Sequence, residues 1–340
     1  MQEVRATLPV HPVDLEPFRL GGPADRASVA GAIDAAFRDS GFLLVSGHGV
    51  PTSLCDAALD GFAGFFDLPL GEKRRWVVAD ETANRGYSEL GKEGLAYSRG
   101  EETPPDLFEA FNVGREDATG PDYDRVRAFH APNVWPDEPA GLRATWLEYE
   151  HAVRDVADDL LRAMALALDL SDSWFTEQLE RAVITARAIN YERAPGAPAP
   201  EPGQARMGAH TDYGVLTILL ADDVPGLQVF RAGEWHDVAV PRGTFVCNLG
   251  DMLERWTNDR WTSTLHRVVP PPADRSGPVR RRSIARFLDC PPDLVVECIP
   301  TCTSADRPAR YEPVVAGVWL REKILGGRAR RRPDLGEAVV

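Results

Sequence analysis

"MGAHTDYGVLTILL" (residues 207–220) decides how this chain is read. His210 and Asp212 stand one residue apart at the mouth of an apolar run. In a strand, residues i and i+2 share a face. An extended segment here aims an imidazole and a carboxylate at one point. The chain has 7 histidines in 340 residues, so a third ligand has few sources. His11, His48, His130 and His151 fall in a half that reads as helical, and His236 sits in the hairpin-like "RAGEWHDV" (231–238). His266, in "TSTLHRVV" (262–269), lies in a strand-like run and best completes the set. Two imidazoles and one carboxylate leave metal positions open, the pattern of non-haem Fe(II) oxygenases and not of a closed zinc site. Taken alone, "HTD" is better served by a His–Asp hydrogen bond on a surface strand.

Further support lies in "RRRSIARF" (280–287). Period two puts Arg281, Ser283, Ala285 and Phe287 on one face. A guanidinium fork and a hydroxyl make a clamp for a small dicarboxylate. Phe287 then becomes a candidate wall of a substrate pocket. The competing reading is a basic solvent-facing strip, but alternation forbids all three arginines from pointing outward.

The remaining sequence frames these motifs. Apolar spacing predicts helices over 24–41, 51–69, 141–168 and 311–325, with a buried strand at 42–50. Residues 80–138 are rich in Gly, Pro and charge and predict loops. After residue 183, short apolar runs alternate with turn residues, as in a sandwich or barrel. The expected division is an N-terminal helical and mixed region (1–140), a long support helix (141–182), a β core (183–303), and a C-terminal helix with a mobile tail (304–340), together one compact unit. Asp251 is read as turn chemistry, Trp256 and Trp261 as core packing, and Cys298 and Cys302 as buried thiols. The net charge of −14 argues against general binding to nucleic acid or anionic membranes. No stretch of 18 apolar residues and no secretory apolar segment is present. Five cysteines without a CxxC pair fit a reducing cytoplasm.

At this point the chain resembles the isopenicillin N synthase-like family of Fe(II)/2-oxoglutarate-dependent dioxygenases. "GFLLVSGHGVP", "FFDLP", "NRGYSELG", "AFNVG", "HTDYGVLTILL", "GLQVF", "GTFVCNLGDMLERWTNDRWTSTLHRVV" and "RRSIARF" follow in family order across most of the sequence. The resemblance implies an α+β fold: a double-stranded β-helix (a cupin-like jelly roll) flanked by N-terminal and C-terminal helices. It implies His210, Asp212 and His266 as iron ligands, and Arg281 and Ser283 as the clamp on 2-oxoglutarate, with Asn190 beside the co-substrate. Tyr87 and Phe108 fall where substrate contacts occur in the family, and His48 matches a structural turn histidine. Arg286 departs from the proline or small residue usual there. The implied activity uses Fe(II), 2-oxoglutarate and O2 to hydroxylate, desaturate or cyclise a small organic molecule, releasing succinate and CO2. A monomer or weak homo-oligomer is expected. The alternatives are an iron oxidase of the same fold that dispenses with 2-oxoglutarate, and a non-catalytic jelly-roll binding module. A zinc hydrolase would need a general base beside the metal, which the sequence does not offer.

Overall fold

The computed structural model describes residues 10–80, 83–96, 103–192, 201, 204–270 and 279–331, with side chains up to residue 324. Its core is two facing sheets. The strands, in chain order, are β1 (His11–Asp14), β2 (Phe42–Ser46), β3 (Gly86–Ser88), β4 (Glu109–Gly114), β5 (Val183–Tyr191), β6 (Met207–His210) and β7 (Leu216–Ala221). They continue with β8 (Leu227–Arg231), β9 (Glu234–Asp237), β10 (Phe245–Leu249), β11 (His266–Val268), β12 (Arg281–Asp289), β13 (Val295–Val296) and β14 (Val314–Val315). The larger sheet runs β1-β2-β10-β7-β12-β5-β4-β3 and the smaller one β6-β11-β8-β9. Phe42, Leu227, Val229 and Val246 fill the space between them at one end, and Ile189, Tyr191, Met207 and Val268 at the other. The site lies between the same two faces. This is the expected jelly-roll arrangement.

Helices surround the sheets, with α2 and α3 packed directly on the larger one. They are α1 (Glu16–Leu20), α2 (Pro23–Asp39), α3 (Thr52–Phe66), α4 (Leu70–Arg74), α5 (Pro121–Asp124), α6 (Leu142–Ala167), α7 (Trp174–Gln178), α8 (Asp251–Trp256) and α9 (Ala316–Arg331). The apolar stripe of α6, from Leu142 and Trp146 to Leu160 and Met164, is buried throughout, as its 3.6-residue spacing requires. It shares one core with Ile33 of α2, Phe62 of α3, and Ile218, Ile284 and Leu288 of the sheet. Helix α2 stops at Gly41, which has φ +67° and where a Cβ would meet the Thr262 carbonyl at 2.0 Å. Only glycine turns the chain into β2 there.

Three expectations need correcting. The segment 80–138 is not all loop, because β3 and β4 extend the larger sheet from it. Their Gly and charged residues disguise β4, whose partner is the distant β5, and β3, which pairs with β4. Asp251 begins α8 and does not sit in a turn; it accepts from Ser263 Oγ and Lys323 Nζ, both at 2.8 Å, tying α9 to the core. The C-terminal helix starts at Ala316 and runs past Gly326 to Arg331, because Val314 and Val315 pair with β13 first. Residues 332–340 lie outside those described. Trp256, Trp261 and Cys302 are buried and Cys298 is half-buried, all cysteines being free thiols.

The unusual Arg286 points to the helical side of β12. Its Nε reaches both Glu150 carboxylate oxygens on α6 at 3.1 Å, with Arg286 buried and Glu150 mostly so. A buried pair broken on one side leaves an uncompensated charge. Arg286→Ala should therefore lower unfolding stability by about 3 kcal/mol, read from urea denaturation midpoints at constant slope.

Candidate active site

His210 ends β6 and His266 starts β11, and the two residues pair directly across the smaller sheet. Their ring centroids are 4.3 Å apart. His210 Nδ1 lies 2.8 Å from the Gly208 carbonyl and His266 Nδ1 lies 3.1 Å from the Thr264 carbonyl. A carbonyl oxygen can only accept, so each Nδ1 carries the proton and each Nε2 is left as a donor atom for a metal. Both Nε2 atoms stand 3.8 Å from Asp212 Oδ1. The other carboxylate oxygen, Oδ2, accepts from Thr217 Oγ1 at 2.5 Å and Asn248 Nδ2 at 2.7 Å. The three side chains are buried, and their ligand atoms fall within 4.8 Å of one another, close enough for one ion. Burial depresses the His210 imidazole, with neighbouring His266 adding to the effect, which favours the neutral, metal-binding form. Burial works to raise Asp212, but the two imidazoles and the bonds from Thr217 and Asn248 leave it lowered overall.

Thr217, Asn248 and Asp106 escaped the sequence reading. Asp106 is fully buried and accepts from the backbone N–H of Leu95 (2.8 Å) and Gly208 (2.9 Å), fixing the carbonyl that orients His210. Thr217 carries a usable signal: it sits on the inward-facing parity of β7. Asp106, in a segment without periodicity, carries none.

On β12, Arg281, Ser283, Ala285 and Phe287 share the face toward the smaller sheet, while Ile284 and Leu288 enter the helical core. Arg281 Nε and Nη1 and Ser283 Oγ are buried without a hydrogen-bond partner. Buried donors of this kind call for an acceptor, and a carboxylate fits them. The register sets Tyr191 opposite Arg281 and Ile189 opposite Ser283. The Arg281 guanidinium stands 5.4 Å over the Tyr191 ring, and burial raises the Tyr191 hydroxyl, keeping it protonated.

That register overturns two expectations. Asn190 belongs to the opposite parity and faces the helical side, where its Nδ2 donates to Glu109 Oε1 (2.9 Å) and its Oδ1 accepts from Arg280 Nε (2.8 Å). Tyr191, next in sequence, takes the inward place. Tyr87 also lies on the far side, packed on Phe65 and donating to Glu109 Oε2 at 2.6 Å. Phe108 and Phe287 remain on the site side: Phe108 packs edge-on against Tyr191 and lies 5.1 Å beneath the Arg187 guanidinium, and Phe287 pairs with Thr217, the residue that holds Asp212. His48 accepts from Val50 N and bonds the Gly243 carbonyl, a turn role.

Comparison with known proteins agrees with this geometry. Residues 10–138 match the N-terminal region of non-haem dioxygenases, described from morphine synthesis, and residues 185–289 match the 2OG-Fe(II) oxygenase superfamily. A 2-oxoglutarate-Fe(II) type oxidoreductase of Emericella nidulans is 36% identical, covering 91% of this chain and 87% of its own. Validamycin A dioxygenase of Streptomyces hygroscopicus subsp. limoneus is 33% identical, covering 92% and 84%. A Neurospora crassa enzyme crystallised with 2-oxoglutarate and thymine superposes with TM-score 0.81 at 28% identity, covering 96% and 98%. The chain belongs to the 2OG-Fe(II) oxygenase superfamily, within its isopenicillin N synthase-like branch. It is an Fe(II)- and 2-oxoglutarate-dependent dioxygenase acting on a small organic molecule with O2. Among the described residues no helix is long and apolar enough to cross a membrane.

Residues that hold a metal ligand in place tune affinity nearly as strongly as the ligands themselves. Asn248→Ala should weaken Fe(II) binding by about tenfold, measured by competition with a calibrated chelator under anaerobic conditions.

Proposed function

We propose that His210, Asp212 and His266 hold one Fe(II) through Nε2, Oδ1 and Nε2, and that Arg281 with Ser283 takes the distal carboxylate of 2-oxoglutarate. The observation that carries this is the convergence of Asp212 Oδ1 and the two imidazole Nε2 atoms at 3.8 Å. When bound, iron and the keto acid supply O2 activation, giving succinate, CO2 and removal of hydrogen from the substrate. The chain's own part is to position and to shield. Arg281 offers its unpaired N–H groups and Ser283 its hydroxyl, fixing the keto acid in one orientation. Tyr191 supports the Arg281 plane. Phe42, Val229 and Val246 keep water from one side. Phe108 and Phe287 are read as walls of the substrate pocket. The outcome is hydroxylation, desaturation or cyclisation. A cytoplasmic monomer or weak homo-oligomer fits the net charge of −14 and the free thiols.

Two measurements test this reading. His266→Ala should lose stoichiometric Fe(II) after anaerobic loading, determined by metal analysis; full retention would remove His266 from the ligand set. Arg281→Lys keeps the charge but loses the planar fork. It should weaken 2-oxoglutarate binding by about 2 kcal/mol, followed by the absorption band of the anaerobic Fe(II)–keto acid complex. Formation of succinate from 2-oxoglutarate by the wild type is the matching activity readout, and its complete absence with iron bound would favour the oxidase alternative.

A further inference from the structure

We propose that Asp289 recognises the substrate, and that the group it takes is a protonated nitrogen, an amine or a guanidinium; the inference rests on the iron and keto-acid roles assigned above. Asp289 is the last residue of β12 and shares the parity of Arg281, Ser283 and Phe287. Its carboxylate lies at the metal end of that face. A Cβ built on Gly214 would fall 2.1 Å from Asp289 Oδ1, so the carboxylate rests on the backbone two residues beyond Asp212. It is not one of the three metal-capable residues.

Among the described residues Asp289 has no partner and has a like charge beside it; Asp158 on α6 also lacks a direct partner but lies in the field of Arg286, Arg162 and Arg154. Other carboxylates removed from solvent are compensated: Glu109 by Lys73, Glu150 by Arg286, Asp222 by Arg282, and Asp106 by two backbone N–H groups. Asp289 has neither a hydrogen bond nor an ion pair among the described residues. The residue paired with it on β5 is Val183, and its neighbour Leu288 pairs with Leu216 of β7 and accepts from the Val215 N–H. The charged group that acts on it is Asp212, of like sign. Yet Asp289 is only half-buried, so a small molecule can reach it. Burial, and then the like charge of Asp212, push the Asp289 carboxyl up to about 7, so ionising it is costly, and a cationic ligand beside it offsets that cost. The surrounding charge points the same way. With Arg281 counted, the charges of the ion, the Asp212 carboxylate and the keto acid cancel, so the Asp289 carboxylate supplies the net negative charge that attracts a cation to the loaded site.

The test uses the whole chain loaded anaerobically with Fe(II) and 2-oxoglutarate. Methylguanidinium and its neutral isostere methylurea are titrated against perturbation of the Fe(II)–keto acid band. Wild type should respond to methylguanidinium at a concentration about tenfold below methylurea, the size of one charge-assisted hydrogen bond. Asp289→Asn should bring the two probes level while the band itself forms normally, and Asp289→Glu should keep the preference. Asp289→Ser is the second neutral variant if Asn disturbs the band. A wild type that does not discriminate, or a neutral variant that still does, overturns the role of Asp289. Failure of the band to form in the wild type would instead overturn the iron and keto-acid reading.

Discussion

The two-oxygen partition of the Asp212 carboxylate is the constraint on which the rest depends. Oδ2 is consumed by Thr217 of β7 and Asn248 of β10, both in the larger sheet. Oδ1 is thereby turned toward His210 and His266, both in the smaller sheet. One side chain thus sets the spacing between two layers and the geometry of the site at once. A bound cation would close the same gap from the other direction, replacing a contact between partial charges by full coordination. Elsewhere the facing sides of the layers are mainly apolar, with contacts such as Tyr191 hydroxyl to Met207 Sδ at 3.8 Å, and such packing tolerates small slides. The directed bonds to Oδ2 do not.

The sequence made the ligands and the clamp legible because both are written in period two. "RRSIARF" announces a face and β12 keeps that parity, whereas "HTD" straddles a strand end: His210 is the last residue of β6 and Asp212 follows outside it. Asn190 shows where the method stops. Parity within β5 is visible, but which parity faces the site depends on the register with β12, a contact between residues about ninety positions apart. Tyr87 failed for the same reason, its strand being three residues long and paired to β4. Asp106 was invisible because its role is to hold backbone N–H groups, and backbone has no spelling. Arg286 looked like a departure from family habit and became intelligible only beside Glu150, on a helix far away in the chain.

Charge on the inner face is arranged by rows. Arg281 sits at one end of β12 with Tyr191 over its guanidinium. Arg187, on the adjacent strand, is paired with Glu93. Asp289 closes the other end. A co-substrate with two carboxylates and a substrate of opposite sign would then be drawn to separate ends of the same strand. The polarity of the site comes from side chains fixed on a rigid element, which holds it without loop rearrangement.

Three consecutive guanidinium groups, Arg280 to Arg282, meet three different fates. Arg280 pairs with Asp67 and Glu192, and Arg282 with Asp60 and Asp222. Arg281 alone turns inward, with its Nε and Nη1 unbonded and Asp222 acting on it only through space. From outside, the triplet is close to electrically silent; from within, it presents a single guanidinium with no ion pair of its own. Ionic strength acts on the two surface arginines and reaches the third only weakly, since screening by mobile ions requires solvent. Affinity for the dianion would accordingly change little with salt, and a cell could alter its ionic composition without emptying the site.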